Sequence, residues 1–542
     1  MAAAAPENLV VGEGARREQQ LEALRVARER LRMRSGVLSK YESVRARHQM
    51  HMDKLQVDFN VAEVQAAMKK MKDVGAGTDG IAPHLLMCHE GCCCDMCMNI
   101  LLQPRPVCHT AEAICHLFNQ ILRTGLIPSD WKEHRLLLHY KGKKSDPHCV
   151  DNYRGLGIDQ GLLKLLSLTM LERLDTFMVA TGALSTSQGG FQRQRGTPEQ
   201  AFTLSEVVRR ATRQGSKVHI AFIDIERAYD SVLHPILWSK CLDKGIGGRF
   251  LAVMQDVYHG ASAALDINGV LLDPPVPLEC GVLQGNPLSP ALFNIFIDDA
   301  IRELEEAGRL AAELPGGRPF GLPLPRVRGP GDPRPLVPNS TLQADHLSSI
   351  FFADDGALLE IDRPQYPAVQ LGRKLRLQRM LDIMAESLDR VGLRINAGKT
   401  KWLIVANASC KQSEFEQYQD KALVECPLSL GGVPIELVDE FEYLGVLLNW
   451  RWDWTSAWRA AYRRALKVFN AARHGGWHKR AGSLDSMLTF AQGKIFCHFT
   501  ILFIAHFKKV SSVSFKISAK RILFSLLVIP KNQKLIKFDF FI

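Results

Sequence analysis

Two short, largely apolar runs at 347–352 and 356–359 flank the acidic pair Asp354-Asp355. Runs of this length, separated only by Ala353 and the two carboxylates, predict a strand, a tight turn and a second strand. Another apolar run at 218–225 contains Asp224 near its end and leads into a turn and a helix. The hydrophobic pattern therefore predicts strands in the middle of the chain that end in acidic residues.

Helical periodicity dominates the first part of the chain. Residues 13–50 are rich in charge, with leucines along one helical face and arginines around it. A solvated amphipathic helix is the preferred interpretation, ahead of a dedicated nucleic-acid-binding arm. Residues 53–174 are predicted to alternate helices with loops. A further helix is predicted to begin near Ser289, after a turn that Pro287 favours.

Two segments depart from the composition of the rest. Between 303 and 347, 14 of 45 residues are Pro or Gly, which is typical of an irregular insert. The last 46 residues, 497–542, contain no Gly, one Arg and seven Lys, and they hold eight of the 25 Phe. This shift indicates either a different module or a natural C-terminus replaced through a reading-frame or splicing error. The second interpretation is preferred.

The chain has 542 residues, 46% of them hydrophobic, which is enough for a large core divided into two or more subdomains. Its net charge of +11 favours a polyanionic partner such as nucleic acid. No charged-then-apolar signal pattern opens the sequence, and no apolar run approaches the ~18 residues of a membrane span. A nuclear or cytoplasmic protein without a membrane partner is therefore expected.

The 13 cysteines lack the spacing of a disulfide framework, which indicates a reducing compartment. Cysteine and histidine cluster between 88 and 97, at Cys88, His89, Cys92, Cys93, Cys94 and Cys97. Zinc would need four well-placed ligands. Because the spacing matches no common zinc module, an incidental cysteine-rich insertion is the preferred interpretation.

Asp224, Asp354 and Asp355 are the candidate catalytic residues. Adjacent carboxylates repel each other and are costly to bury without a counterion, for which a divalent metal is the usual solution. Two metal ions about 3.5–4 Å apart, shared by Asp224 and Asp354, would suit nucleotidyl transfer, with Asp355 as a third carboxylate. Each feature alone has an ordinary alternative: a strand-end cap for Asp224, and an Asp-rich surface turn for the pair.

Between these carboxylates lies a motif at 281–294, called the 281–294 turn because a Gly/Pro turn in it precedes the helix predicted near Ser289; its sequence is Gly-Val-Leu-Gln-Gly-Asn-Pro-Leu-Ser-Pro-Ala-Leu-Phe-Asn. Gly285 would let the backbone approach a base pair closely, and Gln284 offers both a donor and an acceptor. A Gly/Pro turn is ordinarily just a turn. The length and composition of this one favour a polymerase context for the carboxylates.

Ordered blocks on both sides of these residues carry a family resemblance. The blocks are Gly-Thr-Asp-Gly-Ile at 77–81, Ile-Pro-Ser-Asp-Trp-Lys at 127–132, Tyr-Lys-Gly-Lys-Lys at 140–144, Asp-Asn-Tyr-Arg at 151–154, Gln-Gly-Gly-Phe at 188–191, Arg-Gly-Thr at 195–197, Gly-Leu-Arg-Ile-Asn-Ala-Gly-Lys-Thr at 392–400 and Phe-Glu-Tyr-Leu-Gly at 441–445. With the carboxylate motifs between them, they resemble reverse transcriptases of the non-LTR (LINE-like) retrotransposon family. The resemblance covers about two thirds of the chain, from 74 to 449, as in a fragment of a longer element protein.

The resemblance implies roles for individual residues. The implied metal ligands are Asp224, the backbone carbonyl of Ile225, Asp354 and Asp355. The residues implied to bind the nucleotide are Lys141, Arg154, Tyr229, Gln284 and Gly285, with the Tyr229 ring screening the 2′ face of the sugar. Lys399 is the implied general acid for the leaving pyrophosphate, and a solvated lysine after a turn is its alternative. The implied primer grip is Phe441, Tyr443, Leu444 and Gly445. The segment 188–197 is implied to lie near template and nucleotide.

The resemblance also implies an α+β fold of the right-hand polymerase type, with fingers, an antiparallel palm sheet backed by helices, and a partial helical thumb. The predicted segments are a charged helical extension (1–52), fingers and the start of the palm (53–216), the palm (217–449), a partial thumb (450–496) and the atypical tail (497–542). The implied activity is RNA-directed DNA synthesis with two Mg²⁺ ions, for which Mn²⁺ could substitute. The implied partners are an RNA template, a DNA primer or target, and dNTPs; protein partners are not indicated. An inactive RNA-binding relic and a group II intron-type maturase remain as alternatives.

Overall fold

The computed structural model describes residues 48–467, apart from gaps at 73–75, 82, 87–108, 143–145, 147, 150–151, 194, 268, 315–317, 325–345, 363–373, 454–455, 458, 462 and 465–466. Several predictions fall outside the described residues. They are nearly all of the N-terminal helix, the cysteine cluster at 88–97, much of the insert at 303–347, most of the partial thumb and the whole tail.

The helices follow the amphipathic pattern and its caps. They are α1 (Val61–Lys70), α2 (His109–Thr124), α3 (Gly161–Thr181), α4 (Thr197–Arg213), α5 (His234–Asp243), α6 (Gly248–Tyr258), α7 (Ser289–Glu313), α8 (Lys374–Asp389) and α9 (Gln412–Glu425). A capping box opens α1, because the side chains of Asn60 and Glu63 each accept a bond from the other's backbone N–H. The helix predicted to begin near Ser289 is confirmed, with Pro290 in its first turn.

In the residues that the structure describes, the strands form two five-stranded sheets and three two-stranded sheets. They are β1 (Glu133–Tyr140), β2 (Tyr153–Ile158), β3 (Lys217–Ile223), β4 (Ser262–Ile267), β5 (Val270–Leu271), β6 (Val276–Pro277), β7 (Leu322–Pro323), β8 (His346–Leu347), β9 (Ser349–Phe352), β10 (Asp355–Asp362), β11 (Lys401–Val405), β12 (Ser429–Leu430), β13 (Val433–Pro434), β14 (Glu436–Val438), β15 (Glu440–Tyr443) and β16 (Val446–Asn449). The strands predicted around the acidic pair are confirmed as β9 and β10. The strand predicted at 218–225 is confirmed as β3, which ends two residues earlier than expected.

The central sheet has the strand order β14-β11-β3-β10-β9 and is antiparallel apart from the β11–β14 pair. Its middle strand, β3, is covered on both faces. Val218, Ile220 and Phe222 enter one hydrophobic core, whereas Ala221 and Ile223 enter the other, as the alternation of side chains along a strand requires. Burial on both faces explains why β3 is apolar along nearly its whole length. The larger core packs α3, α7 and α8 with this sheet.

The second sheet has the order β2-β1-β4-β5, with β6 paired to β4. Its strands β1 and β2 correct the expectation of helices and loops alone across 53–174. Periodicity could not identify them, because the three leucines at 136–138 suit a buried helix as well as a strand. In β2, Gly155 and Gly157 interrupt the alternation. Arg135 of β1 donates to Asp266 of β4 at 2.5 Å, which ties the parallel pair together.

The predicted insert at 303–347 begins inside a helix, because α7 continues to Glu313. Gly308 lies where α7 meets Phe320, and a Cβ there would stand 3.3 Å from that side chain. Strands β7 and β8 lie on either side of the gap at 325–345 and pair through Leu322 and Leu347, and β8 leads directly into β9. None of the helices in the described ranges combines the length and apolar character needed to span a membrane.

Candidate active site

The hairpin of β9 and β10 presents the acidic pair. Phe352 and Asp355 face each other across the strands, so Ala353 and Asp354 form a two-residue turn. Ala353 has a φ of +58°, a left-handed conformation that non-glycine residues adopt at a cost of about 1–2 kcal/mol. The turn projects Asp354 beyond the sheet and leaves Asp355 on the first residue of β10.

The neighbouring strand β3 delivers Asp224 to the same end of the sheet. Ile223 pairs with Gly356, so Asp224 follows β3 beside the start of β10, although 130 residues separate it from Asp354. The Asp224 backbone carbonyl accepts a bond from Asn396 N–H at 2.8 Å. Ile225 forms an isolated bridge with Ile395. The hydrogen bonds of that bridge are made by the residues before and after Ile225. The Ile225 carbonyl therefore points away from Ile395.

Two of the three carboxylates, Asp354 and Asp355, have raised pKa values. Burial raises the pKa of Asp354, with a further increase from the Asp224 charge and an opposing contribution from Arg154. The Asp355 side chain reaches solvent, yet the surrounding protein and the charges of Asp354 and Asp224 raise its pKa to about 6. Asp354 and Asp355 therefore favour either a proton or a nearby cation.

The donor set fits a divalent metal. Within the described ranges, the buried Oδ2 atom of Asp224 accepts no hydrogen bond, and the Lys399 Nζ atom lies 3.5 Å from it. Carboxylate and carbonyl oxygens are the hard ligands that Mg²⁺ prefers. The described part of the chain has no His, Cys, Asp or Glu group of three or more already assembled as a ligand set. The fit therefore rests on the carboxylate chemistry and on the Asp224 oxygen that accepts no hydrogen bond.

Tyr229 lies beside the carboxylates on the segment that follows β3. Its ring stacks on Phe293 of α7, with centroids 4.8 Å apart and planes 15° from parallel. Burial raises the pKa of the Tyr229 hydroxyl, and the Asp354 charge raises it further. The Tyr229 carbonyl accepts a bond from Val282 N–H at 2.8 Å. Tyr229 is thus a neutral, fixed ring between the carboxylates and the 281–294 turn.

The 281–294 turn is docked against the second sheet. Gly157 N–H of β2 donates to the Gln284 carbonyl at 2.7 Å. Gly285 has a φ of +136°, and a Cβ there would stand 2.0 Å from the Gly157 carbonyl oxygen. The close approach that Gly285 permits in this structure is therefore to β2. The Gln284 side chain donates to Asp230 at 3.3 Å.

Lys141 and Arg154, the two cations that the resemblance implied to bind the nucleotide, lie near this turn. Burial raises the pKa of Asp230, while the bond from Gln284 and the charges of Arg227, Lys141 and Arg154 oppose the rise. Lys141 follows β1, and its N–H donates to Asn152 across the β1–β2 connection at 2.9 Å. The positive charges of Lys141 and Arg154 are therefore close enough to Asp230 to lower its pKa. Asp230 was absent from the sequence prediction, although its place six residues after Asp224 was a usable signal.

The predicted primer grip lies on the β15–β16 hairpin. Leu444 and Gly445 form its turn, with φ values of +48° and +79°. Tyr443 is only 3% exposed, and its hydroxyl donates to the Ile350 carbonyl at 3.3 Å, beneath the acidic hairpin. Phe441 stacks on Phe222 of β3, with centroids 4.2 Å apart. Two of the four residues thus pack against the strands that carry the carboxylates.

Gln188 is the contact that the sequence did not reveal. The resemblance assigned its segment to the neighbourhood of template and nucleotide. In the structure its side chain is fully buried and bonds the backbone of Ala353. The available signal was the adjacent Gly189-Gly190 pair, because a Cβ at either position would overlap Gln200 or Ala353.

A family model for reverse transcriptases (RNA-dependent DNA polymerases) matches residues 141–448, which is more than half of the chain. The chain therefore belongs to the reverse transcriptase family, with a mixed α/β domain of sheets and helices. Reverse transcriptases generally use divalent metal ions, as the donor set here would allow. The match contains all three carboxylates and the 281–294 turn.

The proteins similar to this chain include several from mobile elements. The chain is 25% identical over 334 residues to the RNA-directed DNA polymerase from mobile element jockey of Drosophila melanogaster, a match of 61% of this chain and 30% of the relative. It is 25% identical over 383 residues to the probable RNA-directed DNA polymerase from transposon BS of the same species, covering 70% and 36%. It is 25% identical over 347 residues to a retrovirus-related Pol polyprotein from type-1 retrotransposable element R2 of Nasonia vitripennis, covering 62% and 28%. The predicted family resemblance is confirmed, and these matches span about a third of each relative's length.

Proposed function

We propose that this chain is an RNA-directed DNA polymerase of the non-LTR retrotransposon type, which extends a primer 3′-hydroxyl with deoxynucleotides. The observation that carries the proposal is the convergence of Asp224, Asp354 and Asp355 at one end of the central sheet. Carboxylates that repel one another, with a buried oxygen among them that accepts no hydrogen bond, suit the cation-assisted transfer of a nucleotidyl group. The partners under this proposal are an RNA template, a DNA primer or target, and dNTPs.

The right-hand arrangement belongs to the same proposal. The central sheet with α3, α7 and α8 corresponds to the palm within 217–449 and the segment before it. The sheet of β1, β2, β4 and β5 corresponds to the fingers, and the residues after 450 to the start of the thumb. The contact of Gly285 with Gly157 supports this division, since it joins the second sheet to the palm beside the carboxylates.

Two Mg²⁺ ions are the proposed cofactor, with Mn²⁺ as a substitute. Asp224, the Ile225 carbonyl, Asp354 and Asp355 would hold them. When bound, the ions supply a Lewis acid that activates the 3′-hydroxyl and neutralises charge on the leaving pyrophosphate. Lys399, whose Nζ atom lies 3.5 Å from Asp224, is the proposed proton donor to pyrophosphate.

The protein's own contribution is to position the nucleotide and the primer. Lys141 and Arg154 are proposed to bind the triphosphate, because both extend positive potential over Asp230. Tyr229 is proposed to exclude a 2′-hydroxyl, and Gln284 with Gly285 to contact the nascent base pair. The turn of the β15–β16 hairpin, at Leu444 and Gly445, is proposed to contact the primer end, while Phe441 and Tyr443 support the hairpin from below. Such fixed contacts lower the barrier mainly by orientation.

Single-turnover extension of a DNA primer on an RNA template tests the activity. Asp354→Asn keeps the size of the side chain but removes one charge, and we expect the rate to fall at least about 100-fold, as when one active-site electrostatic group is lost. Asp362→Asn is the matched control at the opposite end of β10, where Asp362 accepts a bond from Tyr418 at 2.7 Å. It should extend at the parent rate.

Two results would contradict the proposal. One is an Asp354→Asn variant that extends as fast as the parent. The other is a folded parent chain that binds primer–template with strong salt dependence yet incorporates nothing. The second result would favour the inactive RNA-binding relic.

A further inference from the structure

The segment 185–190 lies along the outer edge of β9, which would otherwise be the free edge of the central sheet. Gln188 and Phe351 form a parallel bridge. Gly189 N–H donates to the Phe351 carbonyl, and Phe351 N–H donates to the Ser187 carbonyl, both at 2.8 Å. This segment therefore pairs with β9 as an additional, irregular edge segment of the sheet, beside the acidic hairpin.

The side chain of Gln188 is hydrogen-bonded to the turn that carries Asp354. Its Oε1 atom accepts bonds from Ala353 N–H at 2.9 Å and Gly190 N–H at 2.8 Å, and its Nε2 atom donates to the Ala353 carbonyl at 3.2 Å. The amide thus satisfies both backbone groups of the one residue in the turn with positive φ. Because the side chain is fully buried, water cannot replace these bonds if they are lost.

Helix α7 anchors the segment that carries Gln188. The Asp298 carboxylate accepts a bond from Ser185 N–H at 2.6 Å, and the Glu305 carboxylate accepts one from the Ser187 hydroxyl at 2.7 Å. The Asn294 side chain donates to the Gly190 carbonyl at 2.6 Å. Three hydrogen bonds to α7, the longest of the described helices, therefore hold the segment that carries the Gln188 amide.

We propose that Gln188 is a positioning residue for divalent metal binding, which holds the Ala353-Asp354 turn in its left-handed form. The turn needs an external hold for two reasons. Ala353 is in a costly backbone conformation, and the charges of Asp354, Asp355 and Asp224 repel one another. Without Gln188, Ala353 relaxes towards negative φ and Asp354 moves away from the other two carboxylates. This inference rests on the proposed function for its metal, but not for the geometry of the turn.

A matched pair of variants separates positioning from general stability. Gln188→Met preserves the length of the side chain and removes all three bonds. Gln378→Met removes a bond pattern of the same kind, because Gln378 bonds Ser429 N–H at 2.9 Å and the Ser429 carbonyl at 2.8 Å, away from the acidic hairpin. Gln188→Glu is a second variant of the same size, which keeps the acceptor for Ala353 N–H and, when ionised, loses the donor to its carbonyl.

Hydrogen exchange and Mn²⁺ binding give readouts that do not depend on polymerase activity. In metal-free protein, we expect exchange in the peptide that contains Ala353 to rise at least about tenfold in Gln188→Met and to match the parent in Gln378→Met. Free Mn²⁺ measured by electron paramagnetic resonance should show binding weakened about 10–100-fold in Gln188→Met only, the range for residues that orient metal ligands. In single-turnover extension, the Mg²⁺ concentration for half-maximal rate should rise by a similar factor.

The outcomes distinguish this inference from the proposed function. If Gln188→Met matches Gln378→Met in exchange at Ala353 and in Mn²⁺ binding, the positioning role is overturned, whether or not the parent extends primers. If the parent does not extend primers but Gln188→Met alone shows faster exchange and weaker Mn²⁺ binding, the positioning role stands and the polymerase proposal fails. Should Gln188→Met lose its cooperative melt, Gln188→Glu carries the test by faster exchange at Ala353, and a parent-like exchange rate overturns the inference.

Discussion

At the scale of single residues, the carboxylates of the site repel one another, and neighbouring side chains hold them together. Burial and the charges of Asp354 and Asp224 raise the pKa of Asp355 to about 6. Lys399 offsets part of this charge from one side, at 3.5 Å from Asp224. From the other side, Gln188 restrains the backbone of the turn that carries Asp354. A cation bound among the three carboxylates would therefore relieve a strain that the fold maintains.

Tyr229 gives a prediction at the same scale. Stacking on Phe293 fixes the ring plane, so Tyr229→Ala should open space beside the proposed sugar site. We expect the preference for dNTP over rNTP, measured as the ratio of kcat/KM values, to fall about 10–100-fold, the range for one lost steric contact. Tyr229→Phe keeps the ring and should keep the preference. An unchanged ratio in Tyr229→Ala would exclude the screening role.

At the scale of elements, the junction between the 281–294 turn and β2 determines how the two sheets meet. Gly285→Ala would bring a Cβ within 2.0 Å of the Gly157 carbonyl oxygen at a φ of +136°. We expect the free energy of unfolding in urea to fall by about 3 kcal/mol or more, because both the clash and the backbone strain must be relieved. Gly157 has no side chain that could move aside.

A second glycine serves as the control for that substitution. Gly269 has a φ of +89°, but a Cβ there would have nothing within 4 Å. Gly269→Ala should therefore cost only the backbone strain, about 1 kcal/mol. Equal losses in the two variants would show that the approach of the turn to β2 does not limit stability.

The elements also show where sequence patterns succeed. The β9–β10 hairpin, β3 and the start of α7 follow from apolar runs and turn residues that act locally. By contrast, β1 and β2 escaped prediction: β1 pairs with β4, more than 120 residues later, and Gly155 and Gly157 interrupt the alternation of β2. Non-local pairing leaves little trace in the periodicity of a single segment.

At the scale of the whole molecule, Asp175 of α3 gives a pH-dependent stability. Burial raises its pKa to about 6, against the opposing charge of Arg193, whose Nε atom lies 3.8 Å away. The folded state therefore holds this proton more tightly than the unfolded state, whose pKa is near 3.8. From this group, stability is greatest below about pH 4 and declines as the pH rises through about 6.

Asp175→Asn should remove that decline. At pH 8 we expect the variant to be more stable than the parent by up to about 3 kcal/mol, since one pKa unit corresponds to about 1.4 kcal/mol. The two should converge near pH 4 in urea unfolding. A constant difference between Asp175→Asn and the parent from pH 4 to pH 8 would show that ionisation of Asp175 is not its cause.

The sequence by itself determined the chemistry and its order along the chain: three carboxylates, the 281–294 turn between them, and the flanking blocks of the reverse transcriptase family. Residue type and local spacing carry that information, because carboxylates and tight turns have the same chemistry wherever they occur. Only the tertiary structure decided which groups meet. The pairing of β3 with β10 brings Asp224 to Asp354 across 130 residues. The same packing aims the Gln188 amide at Ala353, sets Gly285 against β2 and buries Tyr443 beneath the hairpin. These contacts depend on close packing between distant segments, which no local pattern encodes.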